Sequence, residues 1–369
     1  MKSYRTGNQN WVREHNLSIL MKQLWELNEP VKRSYLTKIS GLNKSTVGNL
    51  LKELISLGFV RGVGFADSTD VGRPSSLIDI NPDGGRIIGI EIGKDFISLV
   101  ISDLKANIVS KVKTTSTSEG KPLLKVKAAQ VLKRVEALIS EAVNQIGREQ
   151  LPLIGIGIGI PAMIDVSTGA VINSDVLEWR GVSIKERLLQ RFNTPVFVGN
   201  DADVSALGEW MVGVARKVNN FVYISSNVGI GGGLVLDGKL YRGENGSAGE
   251  VGHMVIDIHG PRCLCGNYGC LELYIRPKTI LTKVKNAAEE GQTPILMEVC
   301  NGMVDSIDMD NIFQAANLGD AFIVDYLREI ACYLGVGITN LINIFNPKMV
   351  VIGGVLSSVG PTFHNQVVG

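Results

Sequence analysis

The sequence predicts a mostly helical head with a helix-turn-helix pattern and a wing, followed by an α/β body. Three observations support this fold class. Apolar residues recur at helical spacing in residues 17–55, apolar strands and a long amphipathic segment follow residue 85, and the net charge changes from +4 in residues 1–80 to −3 in the remainder. A chain of 369 residues holds two or three domains, and we predict a head domain in 1–80 and a body in 86–369.

The composition excludes several classes of protein. Apolar residues make up 45% and charged residues 20% of the chain, which is typical of a folded protein and not of a disordered one. The longest apolar run, Leu151–Ile164, is too short and too rich in glycine and proline to cross a bilayer. The polar start of the chain has no secretory signal pattern, and five cysteines do not suggest a disulfide framework. We therefore expect a cytoplasmic protein without a membrane partner.

The first two helices of the head follow from their apolar residues. One face of the first helix, which must end before Pro30, consists of Leu17, Leu20, Met21, Leu24 and Leu27. A second, shorter helix is predicted for Arg33–Ser40, and its inward residues are expected to be Tyr35, Leu36 and Ile39.

A third helix follows the tight turn Gly41-Leu42-Asn43, with Asn43 as a suitable N-cap. Its buried face is predicted to consist of Val47, Leu50, Leu51, Leu54 and Ile55. A short glycine-containing turn between the second and third helices is typical of a helix-turn-helix. The segments Phe59–Arg61 and Leu77–Ile80 are predicted as the two strands of a wing.

The polar face of the third helix predicts binding to double-stranded DNA. With its apolar face buried, this helix exposes Lys44, Ser45, Thr46, Asn49 and Lys52. Hydroxyl and amide groups hydrogen-bond base edges in the major groove, whereas lysines neutralise phosphates. Arg73, between Gly72 and Pro74, is a candidate for a minor-groove contact. A three-helix module that binds another protein is the alternative interpretation of the head.

The body begins after a predicted linker turn at residues 81–85. Apolar strands are predicted for Arg86–Glu91, Ile97–Asp103 and Ile154–Ile160, with an amphipathic helix near residues 122–146. The glycine-rich stretch 227–233 is followed by short apolar runs on either side of Asp237-Gly238, which predicts a hairpin and argues against a Rossmann dinucleotide site.

Four soft metal ligands lie within 18 residues of one another. They are His253, Cys263, Cys265 and Cys270, the number and kind of ligands in a closed tetrahedral zinc site. We predict one structural zinc ion per chain, and three unconnected buried thiols are the alternative. Cys300 and Cys332 lie in apolar helical contexts and are expected to be core residues.

Short polar motifs surround the predicted metal site. Asn200-Asp201 follow a strand, Glu250 precedes His253, and Glu272 comes just after the last cysteine of the cluster. Carboxylates and amides hydrogen-bond vicinal hydroxyls, so these side chains would suit a sugar if they lie close together.

Together these motifs resemble the ROK family of bacterial repressors and sugar kinases. The resemblance rests on Glu250-x-Gly-His253 and Cys263-x-Cys265-Gly-x-x-Gly-Cys270-x-Glu272, and the head is similar to the xylose-repressor branch. It implies an actin-like fold of two α/β lobes around a sugar cleft. It also implies that the sugar site contains Asn200, Asp201, Glu250, His253 and Glu272, with His253 also a zinc ligand.

This sequence departs from the kinases of the family in its phosphate loops. The segment Glu91–Asp95 lacks the second glycine and the threonine of the kinase motif, and Asn227-Val228 stand where kinases usually have Gly-Thr. Asp201, the base in kinase relatives, is retained, but without a nucleotide clamp it cannot transfer a phosphoryl group efficiently. We therefore expect no enzyme activity. The chain also ends earlier than the resemblance leads us to expect, so the last helices of the body are expected to be truncated.

The sequence thus predicts a repressor that binds operator DNA as a homodimer or a dimer of dimers and leaves it when a sugar, xylose, binds. Two alternatives are a sugar kinase with a DNA-binding head and a DNA-binding protein whose sugar pocket is vestigial or receives another protein.

Overall fold

The computed structural model of the protein describes residues 9–65, 76–117, 120, 123 and 126–368. The chain divides into two compact units. The first consists of Met1–Ile160, Thr168–Ala170 and Val182–Val198, and the second of Pro161–Ser167, Val171–Gly181 and Gly199–Gly369. Within the described ranges, no helix has the length and apolar character that a membrane crossing requires.

The first unit begins with three helices and a small antiparallel sheet. In chain order the elements are α1 (Gln9–Leu27), β1 (Val31–Lys32), α2 (Arg33–Ser40), α3 (Lys44–Ser56), β2 (Val60–Phe65) and β3 (Ser76–Ile80). The strands pair in the order β1-β3-β2. All three predicted helices and both predicted strands are confirmed. The two-residue strand β1 was not predicted, because so short a segment has no periodicity.

The core of this head contains the apolar residues that recur every three or four positions along its helices, including Leu20, Leu24, Leu36, Leu50 and Leu51. The inward placement predicted for Tyr35, Ile39 and Ile55 is wrong, since all three are exposed. The two-turn helix α2 reaches the core with one side only, which Leu36 fills, and Ile55 lies past the buried face in the last turn of α3.

The head is docked against the α/β part of the first unit. Leu104 is buried in the head core, and its carbonyl accepts a hydrogen bond of 3.0 Å from Trp25 Nε1. Beside it, Lys105 Nζ lies 2.6 Å from Oδ2 of the buried Asp79. The predicted linker is a 3-10 turn at Pro82–Gly84, preceded by Asn81, whose Nδ2 donates to the carbonyl of Gly58 at 2.8 Å.

Between residues 86 and 200 the chain forms a five-stranded sheet, a small three-stranded sheet and two helices. The elements are β4 (Arg86–Ile92), β5 (Ile97–Ser102), β6 (Ile108–Thr114), α4 (Ala128–Arg148), β7 (Leu153–Ile160), β8 (Met163–Asp165), β9 (Ala170–Ser174), β10 (Trp179–Ser183), α5 (Ile184–Phe192) and β11 (Val196–Asn200). The larger sheet has the order β11-β7-β4-β5-β6, with β4 parallel to β7 and antiparallel to β5. The predicted strands and the amphipathic helix are confirmed, and the helix begins at Ala128.

The rest of the second unit combines a four-stranded sheet with a helical core. Its elements are α6 (Asp201–Met211), β12 (Phe221–Ser226), β13 (Ile230–Leu236), β14 (Lys239–Tyr241), α7 (Glu272–Ile275), α8 (Pro277–Glu289), α9 (Pro294–Val299), α10 (Met309–Asn317), α11 (Ala321–Phe345), β15 (Met349–Gly354) and α12 (Pro361–Val368). The sheet order is β14-β13-β12-β15. The hairpin β13–β14 turns at Asp237-Gly238, as predicted.

Helix α11 runs through the apolar core of the second unit, where Cys300 is also buried. The prediction that Cys332 is a core residue is wrong, because its thiol lies on the outward side of α11.

Candidate functional site

The start of helix α6 fixes the first candidate residues. Asn200 is the N-cap, and its Oδ1 accepts hydrogen bonds from the backbone N–H groups of Ala202 and Asp203 at 2.9 and 3.3 Å. Its Nδ2 donates to the carbonyl of Ala162 at 3.2 Å. The side chain of Asn200 is therefore oriented from both ends, because a capping amide that also donates has little rotational freedom.

A small cavity opens beside this cap, entirely within the second unit. Its walls consist of Ala162, Met163, Asn200, Asp203, Gly231, Gly232, Gly246, Ala248, Gly249 and Glu250. Gly249 has a φ of +92°, and a Cβ there would lie 2.5 Å from the carbonyl oxygen of Gly232. The two backbone segments approach so closely that glycine is required at this point. The cavity thus has a bare backbone wall and a polar end, which suits a small ligand with several hydroxyls.

Three carboxylates lie at or near the polar end of the cavity. Burial raises the pKa of Asp201, and the negative charge of Glu250 raises it further. Burial likewise raises the pKa of Asp203 to about 6, although Arg242 lowers it through its charge and a hydrogen bond. When ionised, the carboxylate of Asp203 is a strong acceptor for hydroxyl groups, because its burial leaves little water to compete for it.

The sequence did not predict the ion pair between Asp203 and Arg242. Arg242 Nε lies 3.2 Å from Asp203 Oδ2, and the side chain of Asp203 is almost completely buried. The Asp-Ala-Asp pattern at the start of α6 could have indicated Asp203, because acidic residues are favoured in the first turn of a helix and a buried one needs a positively charged partner. Nothing in the sequence pattern indicated Arg242 as its partner, since 39 residues separate the two.

The four predicted metal ligands come together in one cluster. The ligand atoms of His253, Cys263, Cys265 and Cys270 all lie within 4.8 Å of one another. The Cys265 and Cys270 sulfurs are 3.6 Å apart, and Cys263 Sγ is 3.6 Å from His253 Nδ1. In a tetrahedral site with metal–sulfur distances of about 2.3 Å, neighbouring sulfurs are about 3.8 Å apart. These residues could therefore hold a metal ion with little rearrangement.

The loop that carries the cysteines depends on its glycines. Gly266 and Gly269 have φ angles of +97° and +61°, which a side chain rarely tolerates. Burial raises the pKa of Cys270 to about 12 and also raises the pKa of Cys263, whereas a backbone hydrogen bond from Asn267 lowers that of Cys265. The two buried thiols are therefore protonated near neutral pH unless a cation lies between them, and metal binding would release their protons.

The five residues predicted to contact a sugar fall into two groups. Asn200 and Glu250 line the cavity, and Asp201 lies close enough to Glu250 for the charge of Glu250 to raise its pKa. His253 and Glu272 lie at the metal cluster, where Glu272 Oε1 is 3.6 Å from His253 Nδ1 and 3.3 Å from Cys263 Sγ. A 3-10 turn links the groups, because the His253 N–H donates to the carbonyl of Glu250 at 3.0 Å.

The candidate DNA-binding residues lie on α3. Lys44, Ser45, Asn49 and Lys52 are exposed, and Thr46 is half-buried. The predicted cap is confirmed, since Asn43 Oδ1 accepts from the Thr46 N–H at 2.8 Å; it also accepts from the Ser45 hydroxyl at 2.8 Å. The acidic side chain of Glu53 on the same helix accepts from Arg13 Nε at 3.0 Å, which neutralises it. Arg73 lies outside the described residues.

The segment that corresponds to the first kinase phosphate loop forms a tight turn between β4 and β5. The Gly93 N–H donates to the carbonyl of Phe96 at 2.9 Å, and a Cβ at Gly93 would lie 2.3 Å from the Phe96 ring. Lys113 Nζ lies 4.3 Å from the centre of the same ring, a cation–π distance. The aromatic ring thus fills the space beside the turn backbone.

Comparison with known proteins shows similarity to the ROK family over most of the chain. The sequence profile of the ROK family matches residues 87–368. A xylose repressor from Caldicellulosiruptor bescii is 35% identical over 362 residues, which covers 98% of this chain and 88% of the relative.

Two solved structures resemble the chain over different lengths. A ROK family transcriptional regulator, a homologue of the E. coli MLC protein, aligns with a TM-score of 0.81 at 26% identity, covering 96% of this chain and 87% of its own. A ROK glucokinase from Streptomyces griseus, in complex with glucose and AMPPNP, aligns with a TM-score of 0.65 at 30% identity, covering 77% and 88% respectively. The similarity to the regulator therefore extends over more of this chain than the similarity to the kinase.

Proposed function

This chain belongs to the ROK family, and we propose that it is a sugar-responsive transcriptional repressor that binds operator DNA and releases it when xylose binds. The observation that carries this proposal is the extent of the similarity. The xylose repressor aligns over 98% of the chain, so the alignment includes the head as well as the family domain. The glucokinase structure covers 77% of the chain, a share close to that of the family domain alone.

In this proposal the head, residues 1–80, is a winged helix-turn-helix and residues 86–369 are the sugar-binding domain. The polar face of α3 enters the major groove, where the half-buried Thr46 and the exposed Asn49 hydrogen-bond bases and Lys44 and Lys52 contact phosphates. Ser45 adds a hydroxyl, and Arg73 would contact the minor groove. The protein would bind its operator as a homodimer, since two-fold symmetric sites are the usual partners of such heads.

The sugar would occupy the cavity and its surroundings. Asn200, Asp201 and Glu250 supply hydrogen bonds at the capped start of α6, and His253 and Glu272 extend the site toward the metal cluster. The ion would be zinc, bound by His253 and the three cysteines. With four protein ligands it has no open position, so its contribution is to hold the loop that carries Glu272.

Release of DNA requires that the sugar bind the non-DNA-binding state more tightly, because only differential affinity shifts an equilibrium. Linkage then requires that operator DNA weaken sugar binding by the same factor by which sugar weakens operator binding. A factor of about 100 corresponds to roughly 2.7 kcal/mol of coupling, which is within the usual allosteric range.

A sugar kinase with a DNA-binding head is the second candidate function. The retained Asp201, whose burial raises its pKa, favours it, because a base with a raised pKa accepts a proton more readily at neutral pH. The turn at Gly93, filled by the Phe96 ring, argues against a nucleotide phosphate at that place. A coupled assay for sugar-dependent ATP consumption with xylose and glucose separates the two functions, and turnover would establish the kinase.

The proposed function is tested by titrating operator DNA with the full-length protein and then adding xylose. We expect Thr46→Ala or Asn49→Ala to weaken operator binding by about 1–3 kcal/mol if the residue contacts a base. Lys44→Ala should reduce the slope of the logarithm of the operator binding constant against the logarithm of salt concentration by about one unit, whereas Lys278→Ala, which removes an exposed lysine in the second unit, should not.

Asp201→Asn should bind operator normally but need far more xylose for release. Unchanged binding in all three head variants would contradict the role of α3, and an unchanged xylose response in Asp201→Asn would contradict the role of the cavity.

A further inference from the structure

We propose that Asp203 and Arg242 form a specificity-determining pair in the effector cavity, and that they select neutral sugars over sugar phosphates. Asp203 accepts a hydrogen bond from a hydroxyl of the sugar, and Arg242 holds its carboxylate in position. This inference rests on the proposed function, because it concerns the ligand of the same cavity.

The position of Asp203 supports a direct contact with the ligand. Asp203 is only 5% exposed, and it lines the cavity together with Asn200 and Glu250. Its backbone N–H donates a hydrogen bond of 3.3 Å to Oδ1 of the N-cap Asn200. The side chains of Asn200 and Asp203 therefore start from neighbouring positions that this bond fixes at the beginning of α6. An acidic side chain buried to this degree needs polar partners, because its desolvation is otherwise unfavourable.

Arg242 provides one of those partners and also anchors the segment that leads to Glu250. Its Nε donates to Asp203 Oδ2 at 3.2 Å, and its carbonyl accepts from the Ala248 N–H at 3.1 Å. The same segment then passes Gly232 so closely that Gly249 cannot carry a side chain, and it ends at Glu250 on the cavity wall. The ion pair therefore connects α6 to the turn that positions a second sugar-contacting residue.

The ion pair leaves Asp203 able to bind a ligand. An ionised carboxylate has two oxygens with about four acceptor positions, and the contact with Arg242 Nε uses one of them. A sugar hydroxyl is a suitable donor for the remainder, and Arg242 prevents the carboxylate from rotating away. Arginine is suited to this task because its planar guanidinium holds a carboxylate in a fixed orientation.

The balance of charge indicates which sugars fit. Among the described residues, the charged groups that act on Asp203 are Arg242, Asp201 and Glu250. When all four are ionised, three negative charges face one positive charge around the cavity, and of these groups Asp203 is the buried one. A phosphate group would add further negative charge near these carboxylates and would be repelled, whereas an uncharged sugar would not.

Titration calorimetry on the full-length protein tests the pair with xylose, glucose and glucose 6-phosphate. We expect Asp203→Asn to weaken xylose binding at least tenfold and to reduce the preference for glucose over glucose 6-phosphate. Arg242→Met should weaken xylose binding by a similar factor, and Arg242→Lys should restore part of it, because it keeps the charge. Asp325→Asn is the matched control, since it removes an exposed aspartate that also pairs with an arginine, Arg328.

A pH profile separates a contact from a purely structural role. Because the pKa of Asp203 is about 6, the xylose affinity of the parent should fall as pH decreases through 6, when the carboxylate takes up a proton. Asp203→Asn should lose that part of the profile, while the control keeps it. Should Asp203→Asn fail to fold, as judged by circular dichroism, the comparison of Arg242→Lys with Arg242→Met decides the proposal.

Xylose affinity and sugar-phosphate discrimination equal to the parent in Asp203→Asn would overturn the proposal while leaving the repressor function intact. The same holds if Arg242→Met and Arg242→Lys both bind xylose as the parent does. If the parent binds none of these sugars but still binds operator, the sugar response itself is wrong, and with it this inference.

Discussion

The head and the cavity beside α6 are built in opposite ways. The core of the head is formed largely by residues of α1, α2 and α3, which follow one another within 48 residues. The cavity is lined by four separate segments, from Ala162 to Glu250, none of which forms a wall alone. The head therefore depends on local helical periodicity, whereas the cavity exists only when distant segments are packed together.

The two regions also treat charge differently. The third helix keeps its lysines in solvent, where they are available to a polyanion, and pairs its acid Glu53 with Arg13. The cavity buries the carboxylate of Asp203 and balances it with Arg242. Exposed charges change association and salt dependence with little effect on folding, while buried charges affect stability strongly. Variants in the two regions should therefore differ in which property they change.

The largest effect is expected at the metal cluster, the most local part of the second unit. If the proposed zinc is bound, Cys270→Ser should lose it and with it much of the stability that metal binding supplies, because structural zinc sites bind with about 10–16 kcal/mol of apparent free energy in small peptides. Elemental analysis of purified protein measures the metal content. Cys332→Ser, which changes an exposed thiol on α11, is the control and should keep about one zinc per chain. Undiminished zinc in Cys270→Ser would contradict the ligand set.

The docking of the head gives the next largest effect. Lys105→Met leaves the buried carboxylate of Asp79 without its positively charged partner and should destabilise the head by about 3–5 kcal/mol. Hydrogen exchange of residues 76–80 and urea unfolding measure this loss. Lys22→Met, which removes an exposed pair with Glu26, should cost less than about 1 kcal/mol. Equal exchange rates in the two variants would show that the head does not depend on this contact.

The stability of the second unit should depend on pH through Asp203. Its pKa rises from 3.8 to about 6 on folding, so between pH 4 and 6 the native state binds more protons than the unfolded chain. The free energy of unfolding should therefore decrease as pH rises through this range, by roughly 3 kcal/mol for a shift of this size. Asp203→Asn should show a smaller decrease, since only Asp201 with its raised pKa remains, and Asp325→Asn should retain it fully, as measured by urea unfolding at several pH values. Identical profiles in the parent and Asp203→Asn would refute the assignment.

The smallest effect on stability is expected at the N-cap of α3, where the two partners are only three residues apart. Asn43→Ala removes the N-cap of α3 and should lower the free energy of unfolding of the head by about 1 kcal/mol, since the Thr46 N–H loses its acceptor. Asn43→Asp retains a capping oxygen and should cost much less. Thermal unfolding followed by circular dichroism compares the three proteins, and an alanine variant as stable as the parent would exclude a role for the cap.

Much of the head and the metal cluster could be predicted from the sequence because the interacting residues are close along the chain. The helices were recognisable from apolar residues that recur every three or four positions, and the cap at Asn43 acts only three residues away. The four candidate metal ligands lie within 18 residues, on a loop whose glycines permit tight turns. Where the prediction failed, at Tyr35, Ile39, Ile55 and Cys332, periodicity indicated a helix correctly but could not show how much of its circumference the core covers.

The sequence by itself thus determined the three helices and two wing strands of the head, several strands of the body, the cap of α3 and the composition of the candidate metal cluster. Only the tertiary structure decided that Lys105 reaches Asp79 and that Arg242 reaches Asp203, since 26 and 39 residues separate these partners. The physical reason is the range of the forces involved. Helical spacing and capping act within one or two turns of the chain, whereas a buried charge finds its partner only after the apolar cores have fixed the distance between remote segments.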